Sequence, residues 1–457
     1  MYRKLTSLFG TSLFMLIILL FNSCSDSTKN DDAKRLLETI PSEALAVGVA
    51  DIGSLVEKVG VGETDGEIKF KGKIGSDLLV LLFDGDSGVK QSVVTLFASK
   101  KCYGITGFIA DEDVFKNVVQ QRSSEEWSME NGYYICEEFI VKGNQYWVLL
   151  NGVMDDFFDD MLGVTPEESV YSNVEVTDLL PVDKDLEFYI DYNKLVAMLP
   201  FEQSVTIGMV KDMLVKDWTY STGYVNFEKE YVDVKYNYLS EKGEPAEFML
   251  PMSDVDSKLL ENLPSESDIV VAMGTSSDLW EMLQGVAEPI AASSLGALEQ
   301  QIFKKVFNTL VNINKGVAVG VKIKGKDQLE SGTILLQSDS NKGAEDIASG
   351  IRSFYAGIDA EEDLHMIVNG NKVEFRIKSE DVQKGIPEIA KYFDGKYGGI
   401  YISGKLLNNQ FNSDIFNRVV AFGENKYSAS AKLYLNISGE TNSLRALIED
   451  YKKHSEK

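Results

Sequence analysis

The chain of 457 residues is 44% apolar and 25% charged, an ordinary globular balance with enough length for two or three cores. Its formal charge of −26 repels nucleic acid and anionic headgroups at long range, so no nucleic-acid partner is expected and cationic ones are favoured. With only His365 and His454, a multi-histidine metal centre or a two-histidine zinc motif is excluded, and no cofactor is expected.

The chain opens with Arg3 and Lys4, then an apolar run from Leu13 to Phe21, then Asn22-Ser23-Cys24. A basic start, an apolar run of this length and a small residue before a cysteine make a cleaved export signal. A spanning helix needs ~20 apolar residues, and Gly10, Thr11 and Ser12 interrupt this run. Phe21-Asn22-Ser23-Cys24 resembles the lipobox of bacterial lipoproteins, with Phe21 where Leu is usual. The resemblance implies residues 1–23 as signal peptide and lipidation of Cys24. The acidic residues that follow either resemble the export signals that send Bacteroides-type lipoproteins to the outer face of the outer membrane, which implies a lipid-anchored outer-membrane protein at the cell surface, or are a plain solvated linker. Two or three acyl chains hold a protein stably, since each buried methylene contributes ~0.8 kcal/mol.

Residues 24–35 are polar and acidic and are expected to be a flexible tether. From residue 36 the informative signal is repetition. Ile40-Pro41-Ser42-Glu43 leads into a strand ending at Asp51 and a helix through Leu55 and Val59. Leu180-Pro181-Val182-Asp183 leads into a strand Leu186 to Asp191 and a helix through Leu195 and Leu199, with the same spacing from proline to aspartate. A third unit opens at Leu263-Pro264, with strand Asp268 to Met273 and helix Ser276 to Val286. A fourth has strand Gly399 to Ser403 and helix Leu406 to Phe416. In each, a residue such as Asp or Ser at the strand end is placed to cap the helix that folds back.

Between these units the first half predicts strands Val93 to Ala98, Tyr103 to Ala110, Gly132 to Val141 and Gln145 to Asn151, with helices Asp111 to Gln121 and Met154 to Leu162. The second half predicts strands Gly316 to Ile323, Ser331 to Gln337, Leu364 to Asn369 and Lys372 to Lys378, with helices Gly343 to Tyr355 and Ser379 to Tyr392. The expected fold is α+β: two duplicated halves, 36–257 and 258–457, each an antiparallel sheet with helices packed on one face.

The proline-led units, the strands around Gly107-Phe108 and Tyr146-Trp147, and Gly223-Tyr224-Val225-Asn226-Phe227 resemble an internally duplicated family of Bacteroides-type lipoproteins known only as a domain of unknown function. The resemblance brings no catalytic or ligand-binding residue with it.

The search for chemistry is mostly negative. Cys102 and Cys136 are either a disulfide or two buried thiols. Ser87-Gly88-Val89-Lys90 fits S-x-x-K without a companion K-T-G and reads as a turn. Asp84-Gly85-Asp86-Ser87-Gly88 imitates a calcium loop but lacks its later ligands. Asp155, Asp156, Asp159 and Asp160 flank Phe157 and Phe158 on one helix, and an amphipathic pattern puts the aspartates toward water. Trp127, Trp147, Trp218 and Trp280 stack on sugars if exposed and otherwise pack in the core. The expectation is therefore a noncatalytic binding or scaffold module of the envelope, with an envelope protein or glycan as partner and a cleft between the halves as its site. The alternative is a carboxylate-based hydrolase of polysaccharide or peptidoglycan, which needs two facing carboxylates. A structural role in envelope assembly stands third.

Overall fold

The structure is a computed structural model, and it describes residues 26–60, 82, 85–152, 154–198, 219–247, 252–294, 296–325, 328–355, 364–377, 390–437 and 441–455. The leader, Cys24, Asp84, Trp218 and most of the predicted helix Ser379 to Tyr392 lie outside these residues.

The strands are β1 (Ala46–Asp51), β2 (Val89–Ala98), β3 (Tyr103–Ile109), β4 (Ser128–Glu130), β5 (Tyr133–Cys136), β6 (Phe139–Lys142), β7 (Gln145–Asn151), β8 (Leu186–Asp191) and β9 (Tyr220–Phe227). They continue with β10 (Tyr231–Leu239), β11 (Ile269–Met273), β12 (Gly316–Lys324), β13 (Gln328–Gln337), β14 (Leu364–Asn369), β15 (Lys372–Ile377), β16 (Gly398–Ser403), β17 (Phe416–Asn425) and β18 (Ser428–Leu435). Among the described residues all the pairings are antiparallel, and they join the strands into one large sheet. At its middle β10 pairs with β18, Tyr231 opposite Tyr434. Outward from β10 the order is β9, β8, β1, β2, β3, β7, β6, β5, β4. Outward from β18 it is β17, β16, β11, β12, β13, β15, β14.

Local chemistry explains how each strand hands over to its helix. Asp51 ends β1, and its carboxylate accepts the Ser54 N–H at 3.1 Å, capping helix α2 (Ile52–Val59), which stops at Gly60 with φ +69°. Asp111 caps helix α3 (Glu112–Gln120) through the Val114 N–H at 3.0 Å. Asp191 accepts from Lys194 N at 3.0 Å in the helix Tyr192–Met198, and Ser403 from Leu406 N at 3.3 Å in the helix Gly404–Phe411. That last helix is shorter than the predicted Leu406 to Phe416. Asn412 takes the left-handed conformation at φ +54° and ends it, and Phe416 opens β17. The strand predicted from Gly132 to Val141 is two, β5 and β6, because Glu137 turns the chain at φ +51°.

Two further expectations are corrected. Residues 26–35 are not a flexible tether: Asp26–Leu37 forms helix α1, whose Ala33, Leu36 and Leu37 are fully buried. Its Asp32 carboxylate accepts from Ser92 Oγ at 2.6 Å and pairs with Lys90 Nζ at 2.5 Å. The three apolar residues that drive this packing fall at the end of the stretch, so the polar start conceals an amphipathic helix.

Helices also cover both faces of the sheet rather than one. On one face α2, α3 and the helix Ser443–Ser455 bury Ile52, Leu55, Phe115, Leu444 and Leu447 against Val94, Val148 and Val225. On the other, Leu36, Leu37, Phe157 and Phe158 pack against Val47, Phe97 and Trp147. Adjacent residues such as Tyr146 and Trp147 therefore both find cores, one on each side. The same alternation divides Leu335 and Leu336 on β13 between a core built with Leu259 and Phe393 and one built with Ala344 and Ile347.

Candidate functional site

The central strands carry a cavity of about 880 Å³ on the face shared with α2 and the helix Ser443–Ser455. Register defines its floor. One row across the sheet runs Tyr236, Ala429, Gly423, Gly398, Met273, and the next runs Val234, Ala431, Ala421, Ile400, Val271. The middle of the first row has nothing larger than a methyl group. Val271 and Ile400, opposite one another on β11 and β16, are 38% and 45% exposed. Exposed apolar neighbours in a sheet interior are unusual, because a covered face is the ordinary fate of such residues.

The walls are aromatic and thioether groups. Tyr236 stands in a group of rings, 5.2 Å from Tyr238, 6.0 Å from Phe188 and 6.4 Å from Tyr192 between centroids. Burial pushes the Tyr238 phenol up, so it remains a neutral hydroxyl. Met252 and Tyr397 add to the lining. At the mouth, Lys426 Nζ lies 3.2 Å from Glu247 Oε1, and the Tyr427 hydroxyl donates to the same oxygen at 3.5 Å. Asp278 is a second carboxylate in the lining. The Lys426 ammonium is held above its usual range, chiefly by its hydrogen bond to Glu247.

The residues singled out from sequence are elsewhere. His365 sits on edge strand β14 opposite Arg376, away from the cleft, and His454 lies in the helix Ser443–Ser455. Ser87 is buried in a turn, its Oγ accepting from Val89 N at 3.4 Å, while Lys90 serves Asp32. A Cβ at the neighbouring Gly88, whose φ is +78°, would stand 2.6 Å from the Phe115 nitrogen, so this turn is packed against α3. Asp159 pairs with Lys101 at 2.8 Å and Asp160 accepts from Ser99 Oγ at 2.5 Å, with Phe157 and Phe158 turned into the core. Among the described residues no group of three or more His, Cys, Asp or Glu is placed to hold a metal ion.

The disulfide option is not realised. Cys102 and Cys136 are both free and buried, in cores on opposite faces of the sheet, and burial pushes both thiols up. The tryptophans have structural partners: Trp280 Nε1 donates to the Ile313 carbonyl at 2.7 Å and Trp127 Nε1 to Lys116 at 3.2 Å. Trp147 is buried among Tyr133 and Phe157.

The cleft lies between β10, from residues 36–257, and strands from residues 258–457, where a cleft between the halves is expected, but none of its lining residues is among those singled out from sequence. Its signal is small residues at alternate positions, Ala421-Phe422-Gly423 and Ala429-Ser430-Ala431, which marks one bare face of a strand.

No family model matches the chain, and no curated protein matches it. Among solved structures, crystal form III of TP0453 is similar at 12% identity and a TM-score of 0.29, over 45% of this chain and 80% of that one. Crystal form I of TP0453 is similar at 12% identity and a TM-score of 0.27, over 70% of this chain and 98% of that one.

Proposed function

We propose that this is a noncatalytic binding module of the bacterial envelope, held at the outer membrane by lipid on Cys24, whose ligand enters the cleft over β10, β18, β17, β16 and β11. The observation that carries the reading is an 880 Å³ cavity with exposed Val271 and Ile400 on its floor and, among the described residues, no histidine, thiol or metal-type cluster in its lining. A cavity of that size suits a small molecule. No helix among the described residues is long and apolar enough to cross a membrane, which leaves β-barrels unaddressed. The hydrolase reading gains less support, since Glu247 in this cleft is occupied by Lys426 and Tyr427.

The reading includes an internal duplication, with the boundary near 257. Its support is the strand order, which runs the same way outward from β10 and from β18. Registers agree with it. Asp191 and Ser403 each end a strand and cap the next helix. Five residues earlier stand Leu186 and Gly398, whose neighbours across the sheet are Val225 then Val234, and Gly423 then Ala429. One residue further, Lys235 and Ser430 face one another, as equivalent residues on a twofold axis would.

Two measurements test the proposal. Metabolic labelling with palmitate should mark the wild-type chain in outer-membrane fractions and be lost in Cys24→Ser; retention of label in the variant refutes the anchor. Protease treatment of intact cells, beside a periplasmic control, then assigns the side of the membrane.

A further inference from the structure

Building on the reading of the cleft as a binding site, we infer that its ligand is the acyl chain of a lipid that carries no net negative charge. The first ground is that the floor is emptier than the fold requires. A Cβ at Gly423 would meet only the Tyr397 Cβ, at 3.5 Å, an ordinary contact. By contrast a Cβ at Gly223 would lie 2.1 Å from the Lys235 carbonyl, and at Gly399 2.4 Å from Phe393, so those glycines serve packing. A strand glycine without such a neighbour costs strand stability and leaves room for close approach by something else.

The corresponding row on the other side makes the same point. Where the cleft has Gly398, Gly423 and Ala429, that row has Leu186, Val225 and Val234; Leu186 and Val225 are buried in the core beneath α2 and the helix Ser443–Ser455, and Val234 packs against that core from the edge of the cleft. The small residues thus mark the one stretch of this face that the chain's own described helices leave open.

Shape and polarity select the occupant. The floor lies within the sheet, each strand paired on both sides, so no free backbone edge is offered to an added peptide strand. The bare positions are Ala429 on β18 and Gly423 on β17, one strand spacing or ~5 Å, before Tyr236 rises on one side and Met252, whose Cε would stand 3.3 Å from a Cβ at Gly398, on the other. A helix with side chains is ~10–12 Å across and does not lie flat in that width, whereas an unbranched chain does. A glycan would bring hydroxyls onto a floor of Ala421, Gly423, Ala429, Ala431 and Ile400, whose side chains carry no polar atom, although Ser276, Asp278, Glu247 and Asn425 also line the cleft. Met252 and Met273 are adaptable walls for a flexible hydrocarbon.

Charge selects the headgroup. The mouth carries Glu247 and Asp278 against Lys426, which is already paired with Glu247, and the chain bears a formal −26. A fatty carboxylate or phosphate monoester meets net repulsion there; a neutral glyceride does not.

The test is thiol accessibility in the full chain. Cys102 and Cys136 are buried, and lipid on Cys24 blocks that thiol, so Ala429→Cys supplies the reactive group on the floor. Its maleimide rate is read in the amphipol-held protein with monoolein, oleate or maltohexaose added, and in isolated outer membranes. Monoolein should slow the reaction at least tenfold, oleate far less and maltohexaose not at all, and Gly423→Leu in the same chain should abolish the monoolein effect. Protection by maltohexaose overturns the lipid assignment, and protection by oleate equal to that by monoolein overturns the uncharged headgroup; both leave the binding reading intact. Protection confined to native membranes, reproduced by none of the three, likewise overturns the lipid assignment with the binding reading intact, and directs the search to a protein partner. No protection in any condition overturns both. Ala421→Cys, one strand away, is read in parallel, so a folding defect in one variant does not remove the test.

Discussion

Asp185, 1% exposed at the start of β8, joins three parts of the first core with one carboxylate. It accepts from Ser54 Oγ at 2.7 Å and Lys58 Nζ at 2.6 Å on α2, and from the Phe227 N–H at 2.6 Å at the end of β9. Asp185→Ala removes the acceptor for a buried N–H and the counter-charge of a lysine whose side chain is only 25% exposed. Losing one partner of a buried pair costs ~3–5 kcal/mol. Lys58 keeps Asn226 Oδ1 at 3.4 Å and some solvent, which places the expected loss near the lower end, about 3 kcal/mol. With a urea slope of ~2 kcal/mol/M the midpoint of the transition reporting the first core should fall by about 1.5 M. Asp185→Asn preserves an acceptor without the charge and should lose roughly half as much. The assay is urea unfolding followed by tryptophan fluorescence at neutral pH. A shift below ~0.3 M for Asp185→Ala would show that this carboxylate does not hold the helix to the sheet.

Glu187 is mostly buried, and that burial, reinforced by the charge of Asp183, raises its carboxyl from 4.5 to about 8. The folded state then binds a proton that the unfolded state has lost between those values. The contribution of Glu187 is therefore favourable at low pH and is lost as pH rises through about 8. Glu187→Gln should raise the urea midpoint at pH 9 and leave it nearly unchanged at pH 4, and an unchanged pH profile counts against the assignment. Leu36→Ala in the first helix should cost ~2–5 kcal/mol, because Leu36 is fully buried; a silent substitution would restore the flexible tether. Cys102 and Cys136 should alkylate at least tenfold faster in concentrated urea than in the native chain, and unreduced protein should show no intramolecular bridge by mass spectrometry.

Much of the local structure is legible in the residues themselves. Leu186–Asp191, Gln145–Asn151 and Leu364–Asn369 emerge as strands with the bounds read from sequence, because their apolar runs are closed by polar or turn residues. Asp51, Asp111, Asp191 and Ser403 cap the helices expected of them, since a cap acts within three residues. Helix Asp26–Leu37 escaped because its polar first turns look like a linker until Ala33, Leu36 and Leu37 find a sheet to cover.

The arrangement of the strands is decided by tertiary structure alone. Periodicity states that a strand has two faces; it does not state which neighbour lies beside it or which helix lies above. β10 meets β18 across some two hundred residues of chain, and only that pairing sets Tyr236 beside Ala429 and Gly423 beside Gly398. Each small residue on its own reads as a weak strand former. Together, in register and without a covering helix, they make the cleft.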